Sequence, residues 1–114
     1  MSFRWTTKDP DESLDYSIDW SRFLDTATIS SVTWSVQTPE IGKTTLAAGQ
    51  TLTTASSNAV TDSIQNIAQT NTNTVATINL GGGVLNREYI FTCNIVDSTG
   101  SQAERTVKMR IREN

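Results

Sequence analysis

The chain has 114 residues, a formal net charge of −3, one cysteine and no histidine. This length suits a single domain. A hydrophobic share of 36%, with 12 Ser and 19 Thr, is typical of short strands and polar loops. Without histidine and with one cysteine, the sequence excludes zinc sites, internal disulfides and Ser-His-Asp or Cys-His catalysis. We therefore expect a protein that is not an enzyme and has no cofactor.

Targeting signals are missing from the sequence as given. The N-terminal stretch MSFRWTTKDPDES lacks the apolar core of a secretory signal, and no run approaches the length of a membrane span. We expect synthesis in a bacterial host cytoplasm and no membrane partner. The excess of acidic over basic side chains argues against a nucleic-acid partner.

Alternating apolar side chains predict two β-strands in the first third of the chain. Residues 14–20 (LDYSIDW) and 31–36 (SVTWSV) place every second side chain on one apolar face, which includes Trp20 and Trp34. Pro39 ends the second strand. We expect both tryptophans to fill the core.

The polar segment from residue 40 to residue 73 is harder to interpret. Residues 60–69 match a helix, because their aliphatic side chains fall at helical spacing, and they also match a strand. We favour a strand or loop, because the flanking Thr and Asn residues have low helix propensity. The segment is expected to contain two or three short strands, near Thr51–Ala55, Val60–Ile67 and Thr44–Ala47.

Clear alternation returns in the last third of the chain. Residues 74–80 predict a strand that ends at the glycines 81–83, which we interpret as a turn because no helix follows them. Residues 89–96 and 106–112 predict an antiparallel hairpin around the turn at 97–100. Together these segments predict about seven short strands and a β-sandwich.

The ordered segments KDPDESLDYSIDW, SVTWSV, TVATINLGGG and REYIFTCNIVDSTGSQAERTVKMRIRE resemble a group of small immunoglobulin-like virion proteins of tailed bacteriophages. The resemblance implies an all-β, immunoglobulin-like sandwich of about seven strands in residues 13–114, preceded by an extended segment, residues 1–12. It implies a structural protein located in the virion, most simply a decoration protein bound to the outside of the capsid. A tail or fibre adaptor and a carbohydrate-binding adhesion module are the alternatives. The implied partners are capsid or other virion proteins and copies of the chain itself.

Candidate site residues are few. Phe3, Arg4 and Trp5 precede the domain, where aromatic side chains either pack against it or anchor a partner, and they are the candidate partner-binding residues. The carboxylates of Asp9, Asp11 and Glu12 suit Ca²⁺, but the segment lacks the glycine and the later glutamate of an EF-hand loop, so we predict no metal site. On its strand Cys93 shares a face with large apolar residues, which predicts a buried thiol.

Charge differs between the two ends of the chain. Residues 8–25 contain six carboxylates and two basic groups, and residues 104–112 contain four basic groups and one carboxylate. Because the first and last strands of immunoglobulin-like sandwiches are commonly neighbours, we predict parallel pairing of residues 14–20 with residues 106–112. This pairing would bring two acidic and three basic side chains together on one solvent face: Asp15, Asp19, Lys108, Arg110 and Arg112. Otherwise the two faces would serve neighbouring subunits.

Overall fold

The computed structural model shows two β-sheets packed against each other, and it describes residues 3–5, 8–9, 11–39, 42–52 and 62–112. In chain order the elements are β1 (Phe3–Arg4), β2 (Leu14–Asp19), α1 (Ser21–Leu24), β3 (Ile29–Gln37), β4 (Thr44–Thr45), β5 (Gln65–Asn71), β6 (Val75–Gly81), β7 (Glu88–Asp97) and β8 (Gln102–Arg110). The five-stranded sheet has the order β1-β8-β7-β3-β4, and the three-stranded sheet has the order β2-β6-β5. The predicted all-β sandwich is confirmed, and its immunoglobulin-like character stays a prediction.

Antiparallel pairing dominates both sheets, and the predicted C-terminal hairpin is confirmed. Strands β7 and β8 pair from Glu88 opposite Arg110 to Val96 opposite Gln102. At the turn, the Asp97 carboxylate accepts hydrogen bonds from the Thr99 hydroxyl at 2.7 Å and from the Thr99 and Ser101 N–H groups at 2.9 and 3.0 Å. These bonds, led by that of the Thr99 hydroxyl, lower the pKa of Asp97.

The core lies between the sheets and consists of the inward side chains that the alternation predicted. Trp20 and Trp34 are each only 1% exposed, which confirms their predicted place. On the C-terminal hairpin the buried apolar side chains alternate with more exposed ones, as a strand with one face in the core requires. The buried members of this hairpin and its extension are Tyr89, Phe91, Cys93, Ile95, Val107, Met109 and Ile111.

The polar middle forms strands where the structure describes it. Residues 65–69 belong to β5, so the helical alternative is wrong for them, and β5 extends to Asn71, beyond the predicted end. Of the strand predicted at 44–47, only Thr44 and Thr45 form a strand, β4. In the predicted strand Thr51–Ala55, Thr51 forms a single bridge to Gln65. Residues 53–61, which include the end of this strand and the start of the predicted strand Val60–Ile67, lie outside the described residues.

A single helical turn after β2 was not predicted. The Phe23 and Leu24 N–H groups donate to the Trp20 carbonyl, both at 3.0 Å, and the Leu24 side chain is buried. One turn is too short to produce a repeating pattern of apolar residues, so the sequence carried no periodic signal for it. This turn carries the chain from the three-stranded sheet to the five-stranded one.

The predicted pairing of the first long strand with the last is wrong. Strand β2 pairs with β6 in the three-stranded sheet, and β8 lies in the other sheet between β7 and β1. The parallel neighbour of β8 is instead β1, the two-residue strand of the N-terminal segment. The carboxylates of β2 and the basic groups of β8 therefore do not share one sheet face.

Candidate interaction surfaces

The N-terminal segment follows the edge of β8. Phe3 and Arg4 pair in parallel with Val107 and Lys108, and the Trp5 N–H donates to the Lys108 carbonyl at 2.9 Å. Lys8 continues this contact, because its N–H donates to the Arg110 carbonyl at 3.2 Å. Residues 3–5 and Lys8 are thus joined to the sandwich, and the boundary predicted after residue 12 stays a prediction.

The Trp5 side chain spans the gap between the sheets. Its ring stacks on Tyr16 of the three-stranded sheet, with ring centroids 4.7 Å apart, and lies 5.9 Å from Trp34 and 5.6 Å from Phe91 of the five-stranded sheet. It is half-buried. This packing corresponds to the first of the two alternatives for the N-terminal aromatics, while binding of a partner through Phe3, Arg4 and Trp5 stays a prediction.

Replacing Trp5 with alanine is expected to lower the free energy of unfolding by about 2 kcal/mol, because the change removes a half-buried ring that contacts both sheets. The matched variant Trp5→Phe retains most of this packing and is expected to lose less than half as much. Urea denaturation followed by circular dichroism measures both values. Equal stability of the alanine variant and the unmodified protein would contradict the packing role.

The Lys8 side chain joins the N-terminal segment to Gly82, which follows β6. Its side chain is fully buried, and its Nζ donates to the Gly82 carbonyl at 2.6 Å and to the Asp9 carbonyl at 2.8 Å. Burial lowers the pKa of Lys8, and the nearby carboxylates of Glu12, Asp9 and Asp11 oppose this effect. Lys8 therefore has a structural role at this end of the sandwich.

The acidic group at Asp9, Asp11 and Glu12 forms a local turn. The Asp11 N–H donates to the Asp9 carboxylate at 2.8 Å, and the Asp9 N–H donates to the Glu12 carboxylate at 3.1 Å. Within the described residues, no three carboxylate or thiol side chains converge on a possible metal position. The Asp9 and Glu12 carboxylates thus bind backbone groups of their own segment.

A buried carboxylate that sequence reasoning missed lies within the polar middle, three residues before β5. The fully buried Asp62 side chain accepts hydrogen bonds from the Arg87 guanidinium at 2.8 Å and from the Tyr89 hydroxyl at 2.8 and 2.9 Å. The Ser63 and Ile64 N–H groups each donate to it at 2.7 Å. Asp62 is the one charged residue between Thr44 and Asn86, and this isolation in the sequence was the available signal.

Gly82 and Gly83, which follow β6, pack against the segment that begins at Asp62. Gly82 and Gly83 have φ values of 68° and 105°, which side chains rarely adopt, and a Cβ at Gly82 would collide with the Ser63 carbonyl. The Gly83 N–H donates to the Ser63 hydroxyl at 3.1 Å. The predicted end of the strand at these glycines is therefore confirmed, because β6 ends at Gly81, and close packing is the reason for the two glycines that follow.

Cys93 is fully buried on the inner face of β7, as predicted. Burial raises the pKa of its thiol to about 12, although Trp20 and Arg105 partly oppose this shift. Because the thiolate is the reactive form, the folded protein holds this cysteine in an unreactive state.

We expect the folded protein to resist thiol labelling at pH 8 and to react fully once unfolded in urea. With only one cysteine, a reducing agent should leave the melting temperature unchanged. Labelling with a thiol-specific chromophore, with and without urea, tests the first expectation. Rapid labelling of the native protein would show that the thiol is accessible.

The two outer faces of the sandwich differ in charge. The three-stranded sheet has two charged residues, the exposed carboxylates Asp15 and Asp19, and no basic residue in its strands. The five-stranded sheet mixes charges: Lys43 lies 3.7 Å from Glu104, and Arg110 lies 3.9 Å from Glu88. Surface pairs of this kind contribute little stability. The two faces therefore offer different surfaces to partners.

Exposed apolar side chains are scattered. The large ones in the described residues are Phe23, Ile67 and Leu85, and each lies on a different element or turn. Leu85 borders a shallow groove of about 370 Å³ that is also lined by Pro39, Glu88 and Arg110. A carbohydrate platform at Trp5 is not favoured, because the ring packs between the sheets.

Comparison with known families places these surfaces in context. A family model described as "Podophage GP4 fiber-tail adaptor protein gp77" matches residues 8–57 and 41–110, which together span most of the chain. The chain belongs to this family. It is a structural protein of the phage virion, and the description of the family suggests a non-enzymatic role. No curated protein matches the chain.

The family match favours the alternative functional prediction over the first one. The predicted phage structural protein is supported, but the description names a fibre–tail adaptor, which was the alternative, and capsid decoration finds no support in it. The implied partners are other virion proteins. Within the described ranges, no helix is long and apolar enough to cross a bilayer.

Proposed function

We propose that this chain is a non-enzymatic adaptor that connects a fibre to the tail of a podophage particle. The family match over residues 8–110 is the observation that supports this proposal. A disulfide-free sandwich with a densely packed core suits a rigid connector, because its two outer faces stay fixed relative to each other.

The two dissimilar faces also support an adaptor. A connector binds two different partners, so it benefits from surfaces that differ in charge and shape. Here the strands that contain Asp15 and Asp19, and the strands paired with them, have no basic residue, whereas the opposite sheet mixes basic and acidic groups. The face of the three-stranded sheet suits a basic partner surface, and the mixed face would bind the other partner.

A conditional stop mutation in the gene, introduced into the phage that encodes it, tests the proposal. Particles made without the protein should lack the fibre protein and retain the capsid composition and the tail, as judged by mass spectrometry and electron microscopy. Supplying the protein from a plasmid should restore the fibres. Particles that retain their fibres in the absence of the protein would overturn the adaptor role.

Copy number separates the adaptor from a capsid-decoration protein. An adaptor should be present in numbers comparable to the fibre subunits, whereas a decoration protein follows the much larger number of capsid subunits. Quantitative mass spectrometry of purified particles measures both ratios. A ratio that follows the capsid protein would favour decoration and contradict the proposal.

A further inference from the structure

The first and last strands of the described chain lie side by side and run in the same direction. Strand β1 pairs in parallel with β8, and a further parallel bridge joins Lys8 to Ile111. The pairing therefore continues beyond the bounds of both strands. We call residues 3–5 and 8, together with residues 107–112, the β1–β8 clamp.

Backbone hydrogen bonds join the two sides of the clamp at several points along its length. The Trp5 N–H donates to the Lys108 carbonyl at 2.9 Å, and the Lys8 N–H donates to the Arg110 carbonyl at 3.2 Å. In the other direction, the Arg112 N–H donates to the Lys8 carbonyl at 2.8 Å. These bonds are spread along the strands, as parallel pairing requires.

The direction of the two strands decides how a pulling force acts on these bonds. Because the strands are parallel, Phe3 and Arg112 lie at opposite ends of the clamp. Force that separates Phe3 from Arg112 therefore pulls β1 and β8 past each other along the strand axis. All hydrogen bonds across the clamp resist this sliding together, so several of them must break in one step.

The antiparallel pair of β7 and β8 responds differently to force. Glu88, at the start of β7, lies opposite Arg110, at the end of β8, so these two chain ends are neighbours. Force that separates them opens the pair from one end, and each step breaks only one or two hydrogen bonds. The same molecule therefore has a strong and a weak direction of pulling.

We propose that the β1–β8 clamp is a load-bearing device, which resists forces that pull the N-terminal segment away from the last strand. Two side chains reinforce it, because sliding of β1 would displace both. The Lys8 ammonium would leave the Gly82 carbonyl, and the Trp5 ring would leave its place beside Tyr16. Lys8 is fully buried, and loss of a buried, charged hydrogen bond is especially costly.

This inference goes beyond the adaptor role and does not rest on it, because it concerns the response of the isolated chain to force. Resistance to force is useful to a connector, since relative motion of two linked bodies pulls on the link between them. Equilibrium stability alone does not supply this resistance, because forced unfolding is governed by the unfolding rate.

Single-molecule force spectroscopy with two pairs of attachment points tests the proposal. Ser2→Cys with Arg112→Cys loads the clamp by sliding, and Leu85→Cys with Arg112→Cys opens the antiparallel pair of β7 and β8. Leu85 and Arg112 are exposed, whereas the native Cys93 is buried and does not compete for attachment.

At the same pulling speed, the rupture force should be at least about twofold higher for the first pair of attachment points than for the second. Chemical denaturation of both variants without force provides the control, and their free energies of unfolding should be similar. Equal rupture forces in the two directions would overturn the proposal.

Lys8→Met tests the reinforcement, because methionine retains an apolar side chain but removes the ammonium. It should lower the rupture force by about one third in the sliding direction and leave the other direction unchanged. The control Lys43→Met removes an exposed ammonium near Glu104 and should change neither force. An equal fall in both directions would overturn the load-bearing role of Lys8. The adaptor role is decided separately, by the presence or absence of fibres on the particle.

Discussion

Replacing Asp62 with alanine is expected to lower the free energy of unfolding by about 3 kcal/mol. The change leaves the Arg87 guanidinium and the Tyr89 hydroxyl without their carboxylate, and it also removes the acceptor of two backbone N–H groups. Because the Asp62 side chain is fully buried, water does not readily replace these bonds. Urea denaturation followed by circular dichroism measures the loss.

Two variants make the Asp62 prediction specific. Asp62→Asn keeps an oxygen acceptor but removes the charge, so its loss should lie between those of the unmodified protein and the alanine variant. The exposed carboxylate of Asp11 provides the matched control, and Asp11→Ala should change the stability by no more than about 0.5 kcal/mol. A loss at Asp62 no larger than at Asp11 would contradict the role of the buried cluster.

Replacing Gly82 with alanine is expected to lower the free energy of unfolding by about 3 kcal/mol or more. Gly82 has a φ of 68°, and a Cβ there would collide with the Ser63 backbone carbonyl, which cannot move without displacing the segment held by Asp62. The Gly82 carbonyl also accepts the hydrogen bond from the buried Lys8 ammonium. The substitution therefore disturbs two attachments at once.

Other glycines of the chain supply graded controls. Gly49 has a φ of 84° with nothing within 4 Å of an added Cβ, so Gly49→Ala should cost about 1 kcal/mol from the backbone conformation alone. Gly42 has neither a positive φ nor a near neighbour, and Gly42→Ala should be close to neutral. Thermal and urea unfolding rank the three variants. Equal losses at Gly49 and Gly82 would show that contact with Ser63 contributes nothing.

These two predictions concern the same end of the sandwich, where three separate segments meet. Lys8 belongs to the N-terminal segment, Asp62 lies in the polar middle, and Gly82 directly follows β6. Buried polar groups that bind one another fix the relative positions of such segments more specifically than apolar contacts do. We expect this end to be rigid, which suits a protein that holds two partners in a fixed relation.

Strand periodicity identified most of the fold and only part of the candidate surfaces. The strands with one face in the core were found because burial alternates along them, as in β2, β3, β6 and the hairpin of β7 and β8. Strand β5 was ambiguous, because its bulge interrupts the alternation and much of it is exposed. Helix α1 was missed, because one turn gives no period.

Sequence alone determined the class of fold, the buried faces of the strands, the turns and the chemistry that the chain lacks, because each depends on local residue types and spacing. Which strands are neighbours was decided only by the tertiary structure. The alternation of β2 is compatible with pairing to β8, yet β8 pairs with β1, beside contacts between distant residues such as Trp5 with Tyr16 and Trp34. Burial of Asp62 and Lys8 likewise follows from how segments meet in space, since a charged residue in the sequence is ordinarily exposed.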